Sequence, residues 1–227
     1  MKTQFMAALI TGLLYAPLAN ATEDQAAVTT DRISVFKVPL VCPAAPQIGC
    51  GSASKPVLLD LERQPGVLGA WLSRAGTIIA VVWKPESNAD NRRNVAAELK
   101  EDRATEIEGT SRDVAVKDFL SGNGWYHGAD VDRLSEEEAS IIAARLVRFV
   151  KAKTTVATDK AEALQRVFDE TLRKDLTGEN ARLHQKPRRL EDVARDYLNE
   201  DQLKILREAI KDEVAIENGE KPVPNEN

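Results

Sequence analysis

Two short runs most constrain the fold of this chain. Val67–Ser73 (VLGAWLS) and Thr77–Trp83 (TIIAVVW) flank the triplet Arg74-Ala75-Gly76. Both are rich in β-branched and aromatic residues, and a glycine-bearing triplet suits a tight reversal, so the spacing predicts an antiparallel hairpin. TIIAVVW has almost no polar position. A strand without a polar face must be covered on both sides, which places it inside its sheet. Ile33–Leu40 (ISVFKVPL) supplies a third strand, ending near Pro39. A loop, Val41–Gly51, leads into a helix that Ser52 or Ser54 can cap and in whose first turn Pro56 is tolerated. Val57, Leu58 and Leu61 form its apolar face, and Pro65-Gly66 ends it. After the hairpin, Arg92–Arg103 reads as a second helix with Val95, Ala96 and Leu99 inward, and Ala104–Glu108 as a short edge strand. The order β-α-β-β-α-β predicts a ferredoxin-like domain over residues 33–110, a four-stranded antiparallel sheet covered on one face by two helices.

The chain from 111 to 217 reads as helical, so the expected class is α+β. Val114–Leu120 is a short apolar-patterned stretch, followed by the loop Ser121–Gly124. Ser135 with Glu138 has the form of a capping box, ahead of Ile142, Leu146, Phe149 and Val150 at helical spacing. Thr158 is placed to cap a helix with the stripe Leu164, Val167, Phe168 and Leu172, ended by Gly178. Leu190–Leu198 follows, and Asn199 with Gln202 opens a last helix carrying Leu203, Leu206, Ile210 and Val214. Three or four amphipathic helices result, free to form a bundle or to cover the open face of the sheet. Residues 218–227 read as a disordered polar tail.

Residues 1–21 have the form of a secretory signal peptide. Lys2 gives a positive start, Met6–Leu18 is apolar, and Ala19-Asn20-Ala21 is a small-residue cleavage site. The expected mature chain starts at Thr22, with a flexible lead-in over 22–32, and is periplasmic or secreted. No later apolar run is long enough to cross a bilayer. The whole chain carries a formal charge of −5, and removal of Lys2 makes it −6. That balance argues against nucleic acid as a partner. Both methionines lie in residues 1–21, which excludes a methionine-rich copper site.

The chemistry sits in the segment Cys42–Val67 (CPAAPQIGCGSASKPVLLDLERQPGV). Cys42 and Cys50 are the two cysteines of the chain. Cys50 lies just before a helix N-terminus, where backbone N–H groups and the helix dipole favour a thiolate. In an oxidising compartment a lone pair of cysteines is most simply a disulfide. The first half also resembles the heavy-metal-associated domain, whose pattern is a strand, a G-M-x-C-x-x-C loop, a helix, and Gly-Val opening the second strand. Counted back from Gly66-Val67, Cys50 falls at the first motif cysteine and Ala53 at the second, while Val57 and Leu61 fall on buried helix positions. The resemblance implies a soft-metal site for Cu(I), Hg(II) or Zn(II). In this chain Cys42 and Cys50 would be its thiolate ligands. Three readings stand open: a structural disulfide within a non-catalytic interaction module, a soft-metal site, and a redox-active dithiol. The partner is accordingly a soft metal ion or another exported protein.

Other candidates have simpler explanations. Trp125-Tyr126-His127, near Asp130 and Asp132, offers a metal ligand or base, but glycine-flanked aromatics also pack loops onto cores. His184 lies in a basic connection. Glu136-Glu137-Glu138 in a first helical turn would favour the dipole. Trp71 and Trp83, on strands, are expected in the core. No nucleophile elbow, phosphate loop, dinucleotide fingerprint or zinc-protease motif is present, so no enzyme activity is expected.

Overall fold

In the computed structural model, which describes residues 28–177 and 187–224, the apolar run Ile78–Trp83 is the middle strand of a five-stranded antiparallel sheet. The strands are β1 (Ile33–Lys37), β2 (Val67–Ser73), β3 (Ile78–Trp83), β4 (Thr105–Glu106) and β5 (Trp125–His127), in the spatial order β4-β1-β3-β2-β5. β3 pairs with β1 on one side (Ile33 opposite Val82) and with β2 on the other (Val67 opposite Trp83). Alternation along β3 sends its side chains to two cores. Ile79, Val81 and Trp83 join the larger, and Ala80 and Val82 the smaller.

The helices are α1 (Gly51–Arg63), α2 (Ala89–Glu101), α3 (Gly109–Leu120), α4 (Asp132–Lys153), α5 (Thr158–Leu176), α6 (Pro187–Ala194) and α7 (Glu200–Glu217). Leu58 and Leu61 of α1 and Val95 and Leu99 of α2 pack on the larger-core face. α4, α5, α6 and α7 extend that same core, which runs without a break from Phe36 to Ile216 and so crosses residue 110. α3 closes the other face, with Ala115, Val116 and Phe119 against Ile33, Val35, Ala80 and Val82.

The class is therefore α+β, and several finer expectations are corrected. The sheet has five strands rather than four, because Trp125–His127, expected as a loop, pairs with β2 (His127 opposite Trp71). Three residues are too few to display a readable alternation. The sheet is covered on both faces, since α3 occupies the one expected to be open. Ser135 and Glu138 do not form a capping box. α4 starts at Asp132 after Val131, and both side chains are buried inside it. Thr158 is the first residue of α5 and Ala157 precedes it as cap, without a side-chain hydrogen bond. Asn199 and Gln202 do cap α7 reciprocally, and Asn88 caps α2 in the same way with Asn91. Trp83 is buried and donates to Ser34 Oγ at 3.0 Å, whereas Trp71 is half-buried against Phe119. The signal peptide (1–21), most of the lead-in, Gly178, His184 and residues 225–227 lie outside the described residues.

The cysteine loop is fastened to the β2–β3 turn by backbone hydrogen bonds. Leu40 N–H donates to Gly76 O (3.0 Å), Gly49 N–H to Arg74 O (2.7 Å), and Cys50 N–H to Leu40 O (2.8 Å). This close approach needs glycine at 76. Its φ is +70°, and a methyl group there would lie 2.4 Å from the Leu40 carbonyl oxygen. Gly76→Ala should therefore destabilise the protein by about 2–4 kcal/mol, from left-handed strain plus overpacking. Gly219→Ala, also at positive φ but meeting nothing within 4 Å, should lose only about 1 kcal/mol. Urea unfolding of both variants checks the difference, and equal losses would refute the crowding at Gly76.

Candidate functional site

The backbone ties bring the two cysteines together above the first turn of α1. Within the loop, Cys42 N–H donates to Ile48 O (2.9 Å) and Ile48 N–H to Ala45 O (3.0 Å), so residues 42–48 close on themselves. Cys42 is fully buried, in the same core as Ala44, Ala45 and Ile48. Cys50 is the N-cap residue of α1 and is partly exposed. The two thiols are near enough to act on each other's proton affinity. Both are free, with no disulfide at bonding distance.

Their environments push them apart. The Ser52 hydroxyl lies 3.4 Å from Cys50 Sγ, and Cys42 and the Ala53 N–H are near enough to favour its thiolate, although the Cys50 side chain makes no N-cap hydrogen bond. These donors lower the Cys50 pKa to about 6, against burial and the charge of Glu217. The Cys42 pKa is raised by its neighbour Cys50, by burial, and by the nearby Glu138 carboxylate. The pair is thus biased toward a thiolate on Cys50 and a thiol on Cys42.

Glu138 is the residue that sequence reasoning misplaced. It projects from α4, is only 3% exposed, and is near enough to Cys42 for each to act on the other's proton affinity. Its Oε2 is buried without a hydrogen-bond partner, as is the Ser135 hydroxyl one turn earlier. Burial, then the charge on Cys50, raises its pKa to about 8, while the Cys42 S–H pulls the other way. α4 reaches the pair because α1 begins with glycine. A methyl group at Gly51 would sit 2.5 Å from Ser135 Oγ and 2.6 Å from Val131 O. The signal was present in the sequence: Glu138, Ile142 and Leu146 are four residues apart, so the carboxyl stands in line with the apolar stripe.

Arg145, two turns beyond Glu138 along α4 and 7% exposed, donates to the Ala44 carbonyl at 2.5 Å and pairs with Glu213 of α7 at 3.3 Å. Burial foremost, eased by Arg145, raises the Glu213 pKa to about 7.

The other candidates are not brought to the cysteines. His127 is on β5 at the sheet edge. Its Nε2 is 3.1 Å from Glu62 Oε1, which also accepts from the Gly128 N–H at 3.2 Å, and its ring meets Trp71 edge-on. Asp132 pairs with Lys55 at 2.6 Å. Glu136 and Glu137, beyond the first turn of α4, pair with Arg173 and Arg74. Among the described residues, no group of three or more His, Cys, Asp or Glu is arranged to hold a metal ion, and no helix is long and apolar enough to cross a membrane. Comparison with protein-family models, curated proteins and solved structures gives no match.

Two titrations follow. Ultraviolet thiolate absorbance should rise with a midpoint near pH 6 and vanish in Cys50→Ser. In Cys42→Ala the midpoint should move up, since the main donor is gone. The stability effects have opposite signs. Between pH 6 and 9 folded Cys50 has already released a proton that the unfolded chain still holds, so it adds stability as pH rises. Between 4.5 and 8 folded Glu138 keeps a proton that the unfolded chain releases, so it subtracts stability as pH rises. Glu138→Gln should therefore gain stability over the wild type on going from about pH 5 to about pH 8 in urea unfolding. A difference that is flat with pH would refute the buried-acid assignment.

Proposed function

We propose that Cys50, Cys42 and Glu138 form a thiol–disulfide exchange site in an exported protein, with Cys50 as the attacking thiolate, Cys42 as the resolving thiol and Glu138 as its proton acceptor. The observation that carries this reading is a buried, incompletely satisfied carboxyl group set against the buried thiol. A disulfide that merely closes a loop gains nothing from such a neighbour, and an unsatisfied buried acid is costly. A resolving thiol does need somewhere to put its proton.

The Cys50 thiolate attacks one sulfur of a partner disulfide, forming a mixed disulfide and releasing the first partner thiolate. Loss of the charge on Cys50 removes the second cause raising the Glu138 pKa, burial being the first, so Glu138 releases its own proton to solvent more readily and stands as a carboxylate. Cys42 passes its proton to Glu138, and its sulfur attacks Cys50. The Cys42–Cys50 disulfide forms, the second partner thiolate leaves, and two electrons have passed to the partner. The reverse sequence oxidises a partner dithiol. Export, expected from residues 1–21, would put the pair where partner disulfides persist.

A second reading, capture of a soft ion such as Cu(I), Hg(II) or Zn(II), is favoured by the same two sulfurs lying near each other with one biased toward a thiolate. Soft thiolates suit such ions, and two-coordinate Cu(I) or Hg(II) needs no third ligand. Cys42 and Cys50 would hold the ion as cargo. The heavy-metal-associated resemblance belongs to this reading. The ferredoxin-like assignment of its fold is supported by the β-α-β-β-α-β connection order and by the antiparallel neighbours β4-β1-β3-β2, which β5 extends.

The deciding experiment uses reduced protein and an aromatic disulfide probe whose released thiolate is coloured. The wild type should release a first and then a second equivalent and end as the internal disulfide. Cys42→Ser should stop after the first and keep the adduct on Cys50. Glu138→Gln should slow the second release by about 10- to 100-fold, as loss of a general base does. An unslowed Glu138→Gln protein would sink the exchange mechanism. Stoichiometric metal uptake, lost in either cysteine variant, would then move the assignment to soft-metal capture. Failure of both would leave a structural pair in an interaction module.

A further inference from the structure

We infer that α7 is the latch of the cysteine loop: Glu213 fixes Arg145, and Arg145 holds the Ala44 carbonyl, keeping Cys42 sealed and leaving Cys50 as the one accessible sulfur. The inference rests on the dithiol reading above, and it names what controls access to the resolving thiol.

Three elements remote in sequence meet at one guanidinium. Ala44 lies between the two cysteines and is fully buried; its carbonyl accepts from Arg145 Nη2 at 2.5 Å. Arg145 Nη1 reaches Glu213 Oε2 at 3.3 Å, with Glu213 only 4% exposed. Arg145 Nε is buried without a partner. A buried ion pair with an unsatisfied donor is a poor device for stability, because an apolar pair of similar volume is often as stable or more so. It is a good device for geometry, since a planar guanidinium fixes the direction of both partners. The other backbone bonds of residues 42–48, Cys42 N–H to Ile48 O, Ala45 N–H to Cys42 O and Ile48 N–H to Ala45 O, are internal, and the ties of Leu40 and Gly49 run to the β2–β3 turn, so none of them fastens Ala44 to a helix. Glu217, one turn beyond Glu213, adds a small electrostatic effect on both Cys50 and Glu138. A partner that draws α7 away would free Ala44 and open Cys42.

The test is alkylation of the reduced full chain with iodoacetamide, read for each cysteine by peptide mass spectrometry. In the wild type Cys50 should be modified and Cys42 protected. Arg145→Met and Glu213→Gln should each raise the Cys42 rate by about tenfold, the scale expected when a buried charge-assisted hydrogen bond is lost. Lys153→Met removes a second α4–α7 ion pair (Lys153 Nζ to Glu208 Oε2, 2.9 Å), which is exposed, and should leave Cys42 protected. Urea midpoints are measured for all three variants, with Glu213→Gln as the near-isosteric change should Arg145→Met fail to fold. Unchanged Cys42 protection in a folded Arg145→Met or Glu213→Gln protein overturns the latch. So does a rise that only tracks a fall in the urea midpoint, or an equal rise in Lys153→Met. Alkylation requires no partner disulfide, so loss of the latch and loss of the exchange mechanism are read separately.

Discussion

Everything in this protein is arranged around β3, a strand with no side that tolerates water. Ile79, Val81 and Trp83 demand one apolar cover and Ala80 and Val82 another. The chain meets the first demand with α1 and α2, then with the larger helical mass of α4 to α7, and the second with α3 alone. The β2–β3 turn that follows from this arrangement is also the seat of the cysteine loop, through Gly76 and Arg74. The sheet's hairpin turn therefore positions the loop that carries the sulfurs.

The site follows from where helix α1 begins. Cys50 caps it next to the Ser52 hydroxyl, and Gly51 lets α4 approach where a side chain would block it. Ser135 and Glu138 are buried by that approach. The result is a graded set of acids: a partly exposed thiol with a lowered pKa, a buried thiol with a raised one, and a buried carboxyl group whose pKa is raised to about 8. Burial drives the last of these and local donors the first, so one small volume holds groups of opposite tendency.

Much of the fold was legible in the sequence because it rests on local pattern. The hairpin 67–83, the helix after Cys50, the Asn199–Gln202 cap and the α+β class all come from periodicity, turn residues and capping within a few positions. The short strand Trp125–His127 was not legible, because β2 confers its strand character by pairing. Ser135 and Glu138 matched a capping pattern that the structure does not use. Their phase with Ile142 and Leu146 spoke for burial, but what would bury them lay some eighty residues earlier, at Gly51.

By itself the sequence determined which residues could carry chemistry. It holds two cysteines, one at a helix start, and its apolar runs demand a covered sheet. Only the tertiary structure decided that the cysteines meet as free thiols, that Glu138 stands behind one of them, and that Arg145 and Glu213 clasp the loop between them. The reason is physical. Helix starts, turns and strand character follow from near neighbours along the chain. The proton affinity of a buried group instead follows from whatever long-range packing sets beside it and from how much water that packing removes.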